Sequence, residues 1–303
     1  MQTLRAWNAR LAFPLVLGGA LAWTAHSLRA GVAADAALIG PFVVPALLIL
    51  VLEHVFPHHR SWLRSRGDVR VDLAHAVSVG LTTRVVQLGV LLAALPIAAT
   101  LGERHGSPLW PTEWSWALQL PLALAVAELP KYWLHRWMHE HDWLWRFHAT
   151  HHSAPRLYWL NATRFHPIDI GLDTVVGLTP LIVLGCGPEV LALFAVLSAV
   201  HGFFQHANLD IRLGSLNYVF SMAELHRWHH SQTVEEANHN YGQNVILWDL
   251  VFGTFFWPRD RQPPEEIGIA ALPNFPAGFW AQLASPFRWN QIKRQASLHE
   301  GTP

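Results

Sequence analysis

The spelling His-x-x-His-His-Ser occurs twice in this chain, as HATHHS at 148–153 and as HRWHHS at 226–231, and any fold has to account for the recurrence. In each copy the histidines stand at i, i+3 and i+4, which is one face of a helix. Upstream, His135 and His139 are four apart and share a face in the same way. Neutral imidazole is a strong ligand for iron, zinc, copper and nickel, and this spacing aims several rings at one point. His135, His139, His148, His151, His152, His226, His229 and His230 are too many for a single ion, since a structural zinc site takes four ligands. The count asks for two metals held close together. Solvated or interfacial histidines are the ordinary explanation for any one of these residues, and the repeated triplet speaks against it for the set. Three separated segments therefore have to meet on one patch.

The surroundings are apolar. Of 303 residues, 51% are hydrophobic and 14% charged, and mean hydropathy is positive, the balance of a membrane protein rather than of two soluble domains. Formal net charge is zero, so no basic field attracts nucleic acid and that class of partner is dropped. Cys186 is the only cysteine, which excludes an internal disulfide and a multi-thiolate metal site. Sixteen tryptophans suit helix ends at a membrane interface.

Hydrophobic runs predict an all-α integral membrane protein with about four transmembrane helices, a re-entrant helical hairpin and a cytosolic helical cap carrying the histidines. The first run, 11–28, is just long enough to span. A cleaved signal peptide would suit the small residues that follow it, but the next run starts almost at once and would pair with it, so we read a retained span. That next run, 37–56, is the clearest. Residues 71–101 are too long and too polar for one simple span, with Asp72, His75 and Arg84 in the first half. A charge at mid-bilayer costs at least about 2.5 kcal/mol, so the crossing is placed at 85–101 and residues 71–84 at the interface. A fourth span, 116–134, delivers His135 and His139 at its end. Gly185-Cys186-Gly187-Pro188 interrupts the apolar stretch 172–200, leaving two arms too short to cross, which read as a hairpin returning to the side it left. Arg5, Arg10, Arg60, Arg64, Arg66, Arg70 and Arg84 fall on the histidine side, against Arg29 and Arg104 on the other. The histidine side is therefore cytoplasmic, in a bacterial inner membrane. The divisions are 1–115, an N-terminal transmembrane region; 116–257, the catalytic domain; and 258–303, a cytosolic tail without chemistry of its own.

Other candidates stand singly. His206 follows the hairpin's second arm and is expected as a ligand. His166 precedes Pro167, where a histidine is usually structural, yet it lies between ligand groups. His201 is five residues from His206, a poor spacing for one face, and reads as packed or as a partner of a ligand. His141 and His239 read as exposed or as partners of ligands. Glu128, two turns before His135, either accepts a ligand's other ring N–H or pairs with Lys131. Asp142 and Asp249 are such acceptors or helix caps. Trp133, Trp137, Trp143 and Trp145 read as interface anchors, with a place beside a substrate entrance as the second reading.

In the order YWLHRWMHE, WRFHATHHS, TRFHPID, QHANLD, LHRWHHS, NYGQN and WDLVFGT, residues 128–254 resemble the fatty acid hydroxylase and sterol desaturase superfamily of integral-membrane di-iron proteins. The resemblance implies two irons on histidines, with zinc able to substitute in isolated protein. It implies O2 as co-substrate, a lipid substrate attacked at an unactivated C–H bond by hydroxylation or desaturation, and electrons from a separate donor such as a cytochrome b5-like protein or a ferredoxin. It matches His135 and His139 to the first box, His148, His151 and His152 to the second, His206 to the isolated histidine, and His226, His229 and His230 to the last. His166 is the choice for a tenth ligand. Glu128 and Asp169 depart by one methylene each from the acids usual at those places. Three other classes would differ in kind. A haem cytochrome needs single histidines facing each other within spans. A zinc or iron transporter holds its ligands near the midplane. A metal-dependent hydrolase needs no electron donor.

Overall fold

A computed structural model describes residues Gln2–Glu300, and among them extended backbone is limited to three isolated bridges. The helices are α1 (Gln2–Arg29), α2 (Ala34–Val55), α3 (Val69–His105), α4 (Trp116–Glu140), α5 (Asp142–His152), α6 (Pro167–Leu184), α7 (Pro188–His206), α8 (Ala223–His229), α9 (Val234–Ala237), α10 (Leu247–Phe252), α11 (Phe279–Ala284) and α12 (Trp289–Glu300). Five of them, α1, α2, α3, α6 and α7, are long and apolar enough to cross a membrane. Helix α4, expected as a span, is not among the five, because its second half carries Glu128, Lys131, His135, Arg136 and His139.

The hairpin arms α6 and α7 belong to the five, and they are deeper than their sequence suggests. At their tip Gly185 takes φ +91°, a left-handed turn that glycine adopts without a Cβ penalty. There the Trp110 N–H donates to the Leu184 carbonyl at 2.7 Å, so the tip meets the α3–α4 connection at the far end of the bundle. Helix α7 then returns to the end from which α6 set out. It packs on α1, α2 and α4, while α6 packs on α3 and α4. Phe13, Ile49, Leu181, Val196, Val200 and Phe204 meet in the resulting core, each no more than 1% exposed.

Helix α3 is one unbroken element of 37 residues rather than an interfacial piece followed by a crossing. Leu73, Val77, Leu81, Val85, Leu88, Leu92 and Leu95 form an exposed stripe along it, about 33 Å long at ~1.5 Å per residue. Asp72 and His75 face inward at its foot, where partners remove the cost of burying them. Arg84 pairs with Asp35 of the first turn of α2 at 3.1 Å, so its charge is balanced from the opposite end of the bundle. It adds nothing to the arginine excess beside the histidines.

At that end lies the cap, built from α5, α8, α9, α10 and the loops between them. Two buried ion pairs fasten it to α3: Arg156 to Asp68 and Arg164 to Asp72, each with an N···O distance of 2.6 Å. Glu53 of α2 accepts from the Trp159 and Asn208 backbone N–H groups at 2.8 Å. The segment after residue 258 closes over the cap. Trp289, Ile292 and Ala296 of α12 pack on Ala149 of α5, and the Trp289 indole and Lys293 both donate to Asp142.

Candidate metal centre

The three histidine segments converge because three helices end there. His135 and His139 are on the last turns of α4, His206 is the last residue of α7, and α5 follows α4 after a break at His141. Short α8 brings His226 and His229, and His230 is its C-cap. Two groups result, His135, His139, His148, His152 and His229 in one, and His151, His206, His226 and His230 in the other. Within each, one ring nitrogen per residue lies within 4.8 Å of all the rest. The groups adjoin, with the His152 and His230 rings stacked at 4.5 Å and those of His151 and His230 at 4.7 Å.

Outer acceptors set the ring orientations. His135 Nδ1 donates to the Tyr241 carbonyl at 2.7 Å, His148 Nδ1 to Asp169 at 2.9 Å and His139 Nδ1 to Asn238 at 3.1 Å. His229 Nδ1 donates to the His239 carbonyl at 2.8 Å, His206 Nδ1 to Asn161 at 2.9 Å and His151 Nδ1 to the Arg164 carbonyl at 3.3 Å. With the proton on Nδ1, each Nε2 turns a lone pair inward. The Nε2 atoms of His135 and His148 are then 3.1 Å apart. Lone pairs so close repel unless a positive centre lies between them. Moreover, Nε2 of His139, His152 and His229 is buried without a protein partner, as are Nδ1 of His226 and His230. Buried polar atoms are rarely left unsatisfied. Burial, and next the crowding of rings, holds His139, His151, His152, His226, His229 and His230 well below the ordinary value of 6.5. Neutral, inward-facing imidazoles fit a pair of metal ions.

His166 stands apart from both groups. Its Nδ1 accepts from the Ile168 N–H at 3.1 Å and so caps α6, and its Nε2 donates to the Leu283 carbonyl at 3.2 Å, which leaves no nitrogen for a metal. His201 packs edge-on to Phe13, and His141 is exposed at the α4–α5 break. Glu128 takes neither expected role: it accepts from the Gln243 and Asn244 backbone N–H groups at 3.0 and 3.1 Å, while Lys131 pairs with Asp173. Asp249 is an indirect support, since its carboxylate holds the Tyr241 and Gly242 N–H groups and so places the carbonyl that His135 uses. Asn161 and Asn238 were not anticipated from the sequence. Their signal is slight, an asparagine in a loop beside a histidine segment, where a turn residue is equally at home. Trp145 lies against His139 and His152, whereas Trp137 and Trp143 are exposed.

Two cavities reach the histidines from opposite sides. The inner one, about 290 Å³, touches His135 and His148 of the first group and His151, His206 and His226 of the second. Helices α3, α4, α6 and α7 form its walls, and Lys131, Asp173 and Gln243 line it. Lys131 Nζ is 3.0 Å from Asp173 and 2.7 Å from the Gln243 side-chain oxygen. The outer one, about 490 Å³, lies between the cap and α12 and reaches His139, His152 and Trp145.

The sequence profile of the fatty acid hydroxylase family matches residues 120–254. Ornithine lipid hydroxylase of Rhizobium tropici is 39% identical over 245 residues, covering 79% of this chain and 72% of the relative. Human alkylglycerol monooxygenase is 30% identical over 219 residues, 71% of this chain but 46% of the relative, so this chain spans about half the length of that protein. Sphinganine C4-monooxygenase 1 of Arabidopsis thaliana is 27% identical over 161 residues, 52% of this chain and 61% of the relative. No solved structure matches. A bundle that ends in two groups of inward-facing histidines, in a chain related along most of its length to a lipid hydroxylase, settles the kinship: the chain belongs to the fatty acid hydroxylase family.

Proposed function

We propose that the protein hydroxylates an unactivated C–H bond of a membrane lipid, using O2 and electrons from a separate donor, with two irons held by the nine clustered histidines. Bound iron would supply the reductive activation of O2; imidazole alone does not select iron over zinc. The relatives named as lipid hydroxylases and monooxygenases support the class, and an ornithine lipid is the first substrate to try. The arginines at the histidine end favour the cytoplasmic side of a bacterial inner membrane. Ligands at helix ends, away from broken spans, argue against a transporter.

The inner cavity is the observation that carries the reading. One wall is shared by both histidine groups, and another is the Lys131–Asp173–Gln243 cluster. An acyl chain alone offers nothing to a buried ammonium and carboxylate. A zwitterionic head group offers both partners, and anchoring it there fixes which carbon faces the metals. Met138, Leu134 and Phe165 exclude water from the remainder.

Supplied with ferrous iron, a reducing system and oxygen-18 gas, the reconstituted protein should place the label in ornithine lipid, as read by mass spectrometry. Label that entered only from water would sink the oxygenase reading. Replacing Lys131→Met together with Asp173→Leu removes both members of the pair, and Glu128, which also faces Lys131, keeps its hydrogen bonds from Gln243 and Asn244. Metal content should hold, while KM for a zwitterionic lipid rises about tenfold or more, ~1.4 kcal/mol per factor of ten. Unchanged KM would remove the cluster from substrate recognition.

A further inference from the structure

A third cavity, about 180 Å³, lies on the flank of the cap, away from the histidine groups, and four arginines line it: Arg212, Arg227, Arg259 and Arg261. Two carboxylates, Asp210 and Glu224, share the wall, and both are engaged. Asp210 takes Arg212 at 3.0 Å, and Glu224 accepts the Leu213 N–H at 2.7 Å and the Asn217 amide at 2.6 Å. Four arginines thus face two carboxylates on the wall, and Arg261 reaches a third, Glu236, outside it.

Arg227 is the informative member. It is 2% exposed, and its Nη2 donates to the carbonyls of Ala207 and Leu209. Its Nε has no partner at all, and neither has Nε2 of His58 on the same cavity. The guanidinium makes its hydrogen bonds only to carbonyls, with Asp210, Glu224 and Glu53 acting on it from beyond ion-pair distance, and an unmet buried donor of this kind is costly. Nearer the rim, Arg259 lies over the Trp257 ring, and Arg261, paired with Glu236, lies over the Trp228 ring at 4.6 Å, which fixes their planes. Planar, oriented guanidinium groups are the usual means of gripping a phosphate bidentately.

The position of this flank also bears on the ligand. The Arg212 N–H donates to the Ala9 carbonyl at 2.8 Å, and Arg5 donates to the Pro57 carbonyl at 2.6 Å. The site thus adjoins the first turns of α1, just before that helix becomes apolar. Trp7 and Tyr218 are exposed nearby, as aromatic side chains are at a membrane interface.

We propose that this flank cavity binds the phosphate group of a membrane phospholipid, with Arg227 and His58 inside and Arg259 and Arg261 at the rim. Arg227 stands between His226 and His229 on α8, so an occupied cavity would brace the helix that carries two of the clustered histidines. The site is independent of substrate chemistry and does not rest on the proposed oxidation.

The test uses the full chain purified in a phosphate-free maltoside detergent. Inorganic phosphate is titrated in one arm and a short-chain phosphatidylglycerol in a second, with melting followed by tryptophan fluorescence and bound lipid counted by native mass spectrometry. We expect one phosphatidylglycerol per chain and a melting point raised by several degrees. The Arg259→Gln, Arg261→Gln double substitution, confined to the rim, should weaken that binding at least tenfold while metal content and helicity stay at the wild-type level. Stabilisation by inorganic phosphate to the same extent and at the same concentration as the lipid would overturn a lipid source. Binding of neither, or undiminished binding by the double variant, would overturn the site.

Discussion

A His226→Ala chain should fold, bind about one metal equivalent in place of two, and oxidise no lipid. His226 is the hub of the second group, with its Nε2 3.0 Å from that of His206 and 3.0 Å from that of His230. Removing it leaves three donors in that group, while the five-histidine group keeps all its members. The loss of turnover should exceed the ~10–100-fold that follows loss of an outer hydrogen-bond partner, for which Asp169→Asn, behind His148, is the matched comparison. His166→Ala gives the contrast: it deletes a helix cap, costs ~1 kcal/mol of stability, and leaves metal content unchanged. Elemental analysis of the three variants separates these cases. Loss of metal from His166→Ala with full loading of His226→Ala would invert the assignment.

The same groups set an acid limit. Their pKa values are depressed in the folded protein, so the folded chain declines protons that the unfolded chain accepts below 6.5. Stability is then fully present above that value and falls as pH drops through it, by about 1.4 kcal/mol per pH unit for each such histidine. Melting followed in steps from about pH 7.5 to about pH 5 should show a steep decline over the lower half. A flat profile would mean that the rings are protonated without cost, which buried and mutually crowded imidazoles do not allow.

How far the sequence exposed this arrangement depended on whether a residue's task is local. Helical spacing is local, so the pairing of His135 with His139 and the two triplets were legible at once, as were the glycine-proline tip of the hairpin and most of the long helices. His166 was ambiguous because a histidine before proline suits a helix start as well as a metal, and only the Leu283 carbonyl, 117 residues away, shows both its nitrogens engaged. The charge on Asp72 suggested an interfacial segment, since nothing near it in the chain reveals that Arg164, 92 residues on, meets it. Arg84 misled similarly, its partner Asp35 lying on another helix. In the tail, Trp289, Ile292 and Ala296 follow a helical period that marks a buried face, but the prolines and polar residues around them hid it. Glu128 was two turns from His135 along the helix, yet its oxygens turn to the 243–244 backbone.

The ion pairs under the cap lead to the second large effect. Arg164→Ala should cost about 3–5 kcal/mol, because it leaves the Asp72 carboxylate, fully buried, with only the Tyr158 hydroxyl at 2.7 Å. Domains commonly have ~5–15 kcal/mol of stability in all, so the single variant should melt far below the wild type. Arg164 also lends its backbone carbonyl to His151 Nδ1, so a loosened loop would disturb the second histidine group too. Pairing the change with Asp72→Leu removes the stranded charge, and replacement of a buried ion pair by apolar groups is often neutral or better. The Asp72→Leu, Arg164→Met double variant should thus recover most of the melting temperature, whereas its metal loading need recover only as far as the loop carbonyl returns to His151. A double variant no more stable than Arg164→Ala would show that the salt bridge is not what docks the cap on α3. The Arg156–Asp68 pair beside it, also at 2.6 Å, would then be the anchor to test next.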